Sequence, residues 1–178
     1  MNGVGLGFHE HNQVNYLNPA SYSAIDSMTF ILDAGISGQV TNFNENGVKK
    51  NANNSNLEYV VGGFRLLRHV GMSFGIIPFT NVGYDYSTSG YVNKEDKDVT
   101  YSNTYSGEGG LHQVYLGAGW SPVKGLAVGA NISYLWGSIN KTVQNAYSNS
   151  YYKSLYRTYG TSVHNYKLDL GIQYTQKI

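Results

Sequence analysis

The side chains in this sequence that could do chemistry are few and scattered. His9-Glu10-His11 sets two imidazoles beside a carboxylate, the types that hold zinc. Side chains at i and i+2 leave the remaining ligand and its geometry unspecified, so the stretch reads as polar chain and not as a metal site. Glu95-Asp96-Lys97-Asp98 clusters carboxylates as calcium would require. It lacks the Asp/Asn spacing and the closing Glu of a calcium loop, and a solvated loop is the expectation. Gly3-Val4-Gly5-Leu6-Gly7 is spaced GxGxG with no helical pattern after it, which is not the dinucleotide fingerprint. Ser, His and Asp occur without a nucleophile-elbow motif. No Cys is present to serve as nucleophile, thiolate ligand or disulfide. We therefore expect no enzyme, no cofactor and no metal.

Composition asks what such a chain is for. Its 178 residues suffice for one domain, yet only 13% are charged while 14% are aromatic and 22 are Gly. A soluble domain carries about 25% charged residues. Asn, Ser, Thr, Gln and Tyr must then do the work that charges do elsewhere. The 12 basic residues nearly cancel the 11 acidic ones, and the largest basic cluster is Lys49-Lys50. That balance excludes the electrostatic footprint of a nucleic-acid binder. No apolar run approaches a membrane helix of about 20 residues, and no signal sequence opens the chain.

Period two dominates the rest. From Thr29 to Asn42, Phe30, Leu32, Ala34, Ile36 and Val40 alternate with Asp33, Ser37, Gln39 and Thr41; Ile31 is the exception. Leu126 to Gly137 sets Val128, Ala130, Ile132, Tyr134 and Trp136 against Gly129, Asn131 and Ser133. Val163 to Thr175 sets Tyr166, Leu168, Leu170, Ile172 and Tyr174 against Lys167, Asp169, Gly171 and Gln173. Leu111 to Pro122 agrees, with Val114, Leu116, Ala118 and Trp120 opposite Gln113, Tyr115, Gly117 and Gly119. Two further strands, about 56 to 68 and 71 to 86, are less regular, because Val60, Phe64, Ile77 and Phe79 fall on the polar side.

Between these strands, long polar stretches (44 to 55, 87 to 106, 141 to 160) alternate with short ones at 68 to 70 and 122 to 125. An antiparallel transmembrane β-barrel has this alternation of short turns and long loops, with apolar and polar residues alternating along each strand. Lipid offers the backbone no hydrogen-bond partner, so only helices and closed sheets can cross it. The expected fold class is all-β: a barrel wall of about six strands whose apolar face meets outer-membrane lipid. Asp33, Gln39, Asn131, Lys167 and Asp169 would face the lumen, and Trp120, Tyr134, Trp136 and Tyr174 would lie toward strand ends as girdles. The competing reading is a soluble Tyr-rich sandwich or a fibre-like adhesin.

The stretch before the first strand, Asn18-Pro19-Ala20 followed by Asp26-Ser27, together with the Gly-rich start, resembles the N-terminal hatch of the FadL-like hydrophobic-compound transporters of bacterial outer membranes. "GIIPFTNVGYDY" (Gly75 to Tyr86) and "LHQVYLGAGWSPVKGLAVGANISYLWG" (Leu111 to Gly137) resemble the Bacteroides-type branch of that family. The resemblance implies a 14-stranded barrel plugged by a hatch. Residues 1–28 would be the hatch and 29–178 the first six strands, so the chain is expected to be a fragment. It further implies that Asn18, Pro19 and Ala20 lie against a kink in the third strand, near Pro78, where the wall opens sideways. Pro donates no ladder hydrogen bond, which weakens pairing there whatever the family. On residue types alone, Asn18 also suits the cap of a short helical turn with Pro19 in its first position.

Two functions follow as expectations. The first is a channel for passive uptake of hydrophobic small molecules such as long-chain fatty acids, with Val60, Phe64, Ile77 and Phe79 as an apolar lining. The second is an adaptor barrel of a protein secretion system, which would bring a protein partner. A structural or adhesive surface barrel ranks below both.

Overall fold

The computed structural model describes residues 4–8, 10–45, 48–93 and 99–176. His9 and the stretch 94–98, with its acidic cluster, lie outside the described residues, as do residues 1–3 and the end of the chain at 177–178. Two short 3-10 turns, Val4–Gly7 and Pro19–Ala24, precede six strands: β1 (Phe30–Glu45), β2 (Val48–Leu67), β3 (Val70–Tyr91), β4 (Thr100–Val123), β5 (Leu126–Tyr147) and β6 (Leu155–Tyr174). They form one sheet in chain order, all-β and antiparallel, as a partial barrel wall requires. Among the described residues no helix is long and apolar enough to cross a membrane.

The strands are longer than their apolar patterns. The polar stretches expected as loops are largely strand: β1 runs to Glu45 and β2 resumes at Val48, with Glu45 opposite Val48. The alternation of long and short connections therefore fails between β1 and β2. The physical reason is that ladder bonds are made by backbone, and Asn, Thr, Ser and Tyr tolerate strand geometry without an apolar face to bury. Tyr134 and Trp136 consequently fall in mid-strand within β5 and not at its end.

Contacts divide the chain into two compact units. The first comprises Met1–Pro78, Gln113–Tyr134 and Tyr166–Ile178. In it the turn between β4 and β5 is two residues long, and Gly125 takes a φ of 89° that a side chain would resist. Met28, with a φ of 61°, turns the chain from the N-terminal segment into β1. The even positions of β6 stand in the open, Leu168 at 65% and Leu170 at 76% exposure, whereas Gln173 donates to the Gly7 carbonyl at 2.9 Å. In β4 and β5 the same split holds: Tyr115, Gly117, Gly119, Asn131 and Ser133 are buried, and Leu116, Trp120 and Ile132 are exposed. The alternating apolar residues thus form the outer face and the N-terminal segment covers the inner one.

The second unit comprises Phe79–His112 and Leu135–Asn165. Side-chain hydrogen bonds between neutral groups supplement its ladders: Ser87 with Thr104 at 2.9 Å, Thr142 with Thr158 at 3.3 Å, and Asn145 with Asn103. Tyr86 stacks on Tyr105 at 5.2 Å between centroids. Cross-strand pairs of this kind contribute about 0.2–1 kcal/mol each and need no charge.

The facing makes an unequal pair of substitutions. Leu168→Arg, on the outer face, should cost about 2–4 kcal/mol if it lies near mid-membrane. Asp169→Asn removes only the partly exposed ion pair with Lys167, 3.0 Å away, and should cost under about 1 kcal/mol. Urea unfolding of the full-length protein in lipid vesicles measures both; equal losses would mean the strand is turned over, since a one-residue slip inverts every side chain.

Candidate functional site

The functional candidate is the seat of the N-terminal segment, the expected hatch, on the inner face of the first unit. Its local structure follows from sequence. Asn18 sits in extended conformation, its side-chain oxygen accepts from the Ala20 amide at 3.1 Å, and Pro19 occupies the first turn position, where a missing N–H costs nothing. The Asn18 amide donates to the Leu6 carbonyl at 2.8 Å, and the Asn15 amide donates to Gly5 and Phe8, so two asparagines fold the Gly-rich start back on the turn. The Ser21 and Ser23 hydroxyls donate to the carbonyls of Asn18 and Ala20. Residues in Asn18 to Ser23 are all buried, Ala20 completely.

The wall receives this turn through glycines. A Cβ at Gly71 would overlap the Tyr22 carbonyl, one at Gly119 would lie 2.5 Å from the Pro19 carbonyl oxygen, one at Gly129 would overlap the Pro19 carbonyl, and one at Gly171 would overlap the Asn18 side-chain oxygen. Strands β3, β4 and β5 therefore touch the hatch backbone at distances that only glycine permits, and β6 meets the Asn18 and Pro19 side chains at Gly171. Around this contact, Tyr22 and Ile25 are enclosed with Val14, Val61, Ile77 and Tyr115, and Ile31 packs at the margin. Fully burying an apolar side chain of this size contributes about 1.5–3 kcal/mol. Burial pushes the Tyr22 phenol up, with Tyr115 adding to it, so the hydroxyl stays protonated. Arg65 reaches Ser27 and the Ser23 carbonyl, tying the end of the hatch to β2.

The expected site residues are distributed as follows. Asn18, Pro19 and Ala20 lie together at the seat. Asn131 is buried beneath them and donates to the Tyr16 carbonyl at 3.3 Å. Lys167 and Asp169 pair with each other, and the Tyr59 hydroxyl donates to Asp33 at 3.3 Å. Gln39 is exposed on β1. Pro78 is half-buried within β3, two residues past Ile76, which stands opposite Val60 on β2. Of the expected apolar lining, Ile77 packs in the hatch cluster. Phe79 is half exposed and belongs to the second unit.

Val60 and Phe64 require correction. A Cβ on Gly62, between them, would meet the Phe74 ring, and Phe74 faces Phe30 on the outer side. Val61 and Gly63 meet the hatch instead, Gly63 against Val14 and Ile25. The strand reads as irregular because a hatch with its own apolar side chains requires apolar partners on the inner face as well. Sequence reasoning missed Tyr22, Ile25, Val61 and Ser73. The available signal was the row of glycines at 117, 119, 129 and 171 on the inner face, which mark a close backbone neighbour.

Compared with known proteins, the whole chain, residues 1–178, matches the family model described as BamG. The chain belongs to the BamG family, an outer-membrane family related to the Bam complex. No curated protein and no solved structure matches it.

Glycine at the seat is open to test. Gly71→Ala and Gly129→Ala should each loosen the hatch by about 1–3 kcal/mol, as overpacking does. Gly38→Ala, where an added Cβ meets nothing, serves as the control. The measurement is the rate of limited proteolysis within residues 10–28 of the folded full-length protein; equal rates in all three would contradict the seat.

Proposed function

We propose that this BamG-family chain contributes the hatch and part of the wall of an outer-membrane barrel that serves, without catalysis, as an adaptor in outer-membrane protein assembly. The observation that carries the reading is the seat of Asn18–Ala24 on the wall glycines, backbone-to-backbone on β3 to β5 and through the Asn18 and Pro19 side chains on β6. A plug held at glycine positions by four strands suits a barrel that must stay closed while its rim meets a partner. Membership of a Bam-related family supports the same choice. On this reading lipid covers the outer apolar positions such as Leu116, Ile132 and Leu168, and a protein partner is engaged elsewhere.

A second reading follows the FadL-like resemblance: passive uptake of hydrophobic small molecules such as long-chain fatty acids through a lateral opening. It is favoured by Pro78 within β3, with Ile77 beside it in the hatch cluster. Pro78 brings no N–H to the ladder, which weakens pairing at that point.

Depletion of the full-length protein separates the readings. For an adaptor, barrel proteins disappear from the outer membrane and the tagged protein co-purifies with the Bam complex, while uptake of a labelled fatty acid is unchanged. Ala20→Trp and Pro78→Val then leave uptake alone as well. Loss of uptake in both variants, at equal surface level and with normal barrel assembly, would replace the adaptor with the channel.

A further inference from the structure

One face of the second unit carries a platform of aromatic rings. On β3, Tyr84 and Tyr86 flank Asp85 and so share a face. Tyr86 stacks on Tyr105 of β4, 5.2 Å between centroids and 22° from parallel, and Tyr84 leans on Tyr86 at 6.0 Å. Two glycines seat the rings. Gly107 is buried, the Tyr84 ring occupying the place a Cβ would take, and a Cβ at Gly90 would meet the Tyr101 ring at 2.8–3.0 Å. Tyr101, Asn103, Tyr105 and Gly107 are therefore the β4 side of the same face, and the Asn103 side chain accepts a hydrogen bond from the Asn145 amide on β5. The rings rest on the wall and still reach the outside, Tyr84 at 40% and Tyr86 at 55% exposure.

What such a face can hold follows from its chemistry. Asp85 and Glu108 alternate onto the other side, so no charged residue stands among the rings on β3 and β4. A nucleic-acid strand would need Lys or Arg beside them. Acyl chains would need apolar neighbours, whereas Asn103 sits between Tyr101 and Tyr105. A pyranose ring meets both features: its C–H face is apolar and lies on a phenol ring, and its hydroxyls donate and accept. Tyr supplies an apolar body and a polar tip. Bonded to each other, the two asparagines keep an NH2 on Asn103 and a carbonyl oxygen on Asn145 as donor and acceptor, which neighbouring sugar hydroxyls can engage together. We propose that this face binds the neutral saccharide chain of lipopolysaccharide, by stacking on Tyr84, Tyr86, Tyr101 and Tyr105 and by hydrogen bonds to Asn103 and Asn145. The source follows from placement, which rests on the outer-membrane barrel proposed above. The unit carries the two longer connections, 92–99 and 148–154, and in such a barrel the longer connections face outside. On β3, Tyr84 and Tyr86 keep the parity of Phe74 and Ile76, which are exposed.

The test is calorimetric titration of the purified full-length protein, in phospholipid nanodiscs, with the saccharide chain released by mild acid from lipopolysaccharide of the bacterium that carries it. Saturable binding is expected. Tyr86→Ala and Tyr105→Ala should each weaken it about tenfold, whereas Tyr86→Phe, which keeps the ring, should stay within about twofold. In the wild-type protein the bound saccharide should also shield Tyr86 and Tyr105 from nitration, a reading that needs no variant to fold. No binding, or equal affinity in the wild type and both alanine variants, would overturn the proposal, as would binding of the lipid A portion alone. Loss of co-purification with the Bam complex in the alanine variants, with no saccharide bound by the wild type, would make the face a protein dock instead. The assembly role is read separately, by the level of barrel proteins on depletion, so either claim can fail without the other.

Discussion

Everything in the first unit depends on one close approach, that of the hatch backbone from Asn18 to Ala24 to the backbone of the wall. A side chain on the wall at Gly71, Gly119 or Gly129 would hold the two apart. With glycine there, the Pro19 carbonyl and Asn18 side chain rest on the sheet itself, and Tyr22 and Ile25 reach a cluster completed by Val61, Ile77 and Tyr115. The turn is not stable by length; a six-residue 3-10 piece has few bonds of its own. It is held by caps from Asn18, Ser21 and Ser23 and by what it buries against the wall.

The second constraint is polar. An interior that excludes water must pair its own groups, and the hatch brings many. Asn15 and Asn18 satisfy carbonyls of the preceding segment, Gln173 satisfies Gly7, and Arg65 satisfies Ser23. In the second unit, Ser, Thr, Asn and Tyr do the equivalent work between strands. The low charge content of the chain has this meaning: its contacts are made by neutral hydrogen-bonding groups, which are cheaper to enclose than ions.

Much of this was legible beforehand, for a reason that can be stated. Strand facing follows from period two, and β4, β5 and β6 expose the residues their alternation says they should. The cap at Asn18 follows from residue type. What could not be read was the hatch-facing side of β1 and β2. Ile31 breaks the pattern because it packs beside the hatch cluster. Val60 and Phe64 looked inward because the register of β2 shifts, at Gly35 opposite Tyr59 and Ile36 opposite Leu57, and a single skipped residue inverts any reading of facing. Strand length escaped for a different reason: polar strands and polar loops share a composition, and only partner strands distinguish them.

A chain without cysteine permits a direct measurement of the central contact. The Asn18 side chain meets β6 at Gly171, more than a hundred residues away in sequence, where an added Cβ would overlap its oxygen. Paired cysteines at 18 and 171 in the full-length protein should oxidise to a disulfide, which needs Cβ atoms about 3.5–4.5 Å apart, and should shift mobility on a non-reducing gel. Cysteines at 18 and 170, on opposite faces of the wall, should not. Cross-linking of 18 to 170 in preference to 171, or of neither in the folded protein, would contradict a hatch seated on the glycine face.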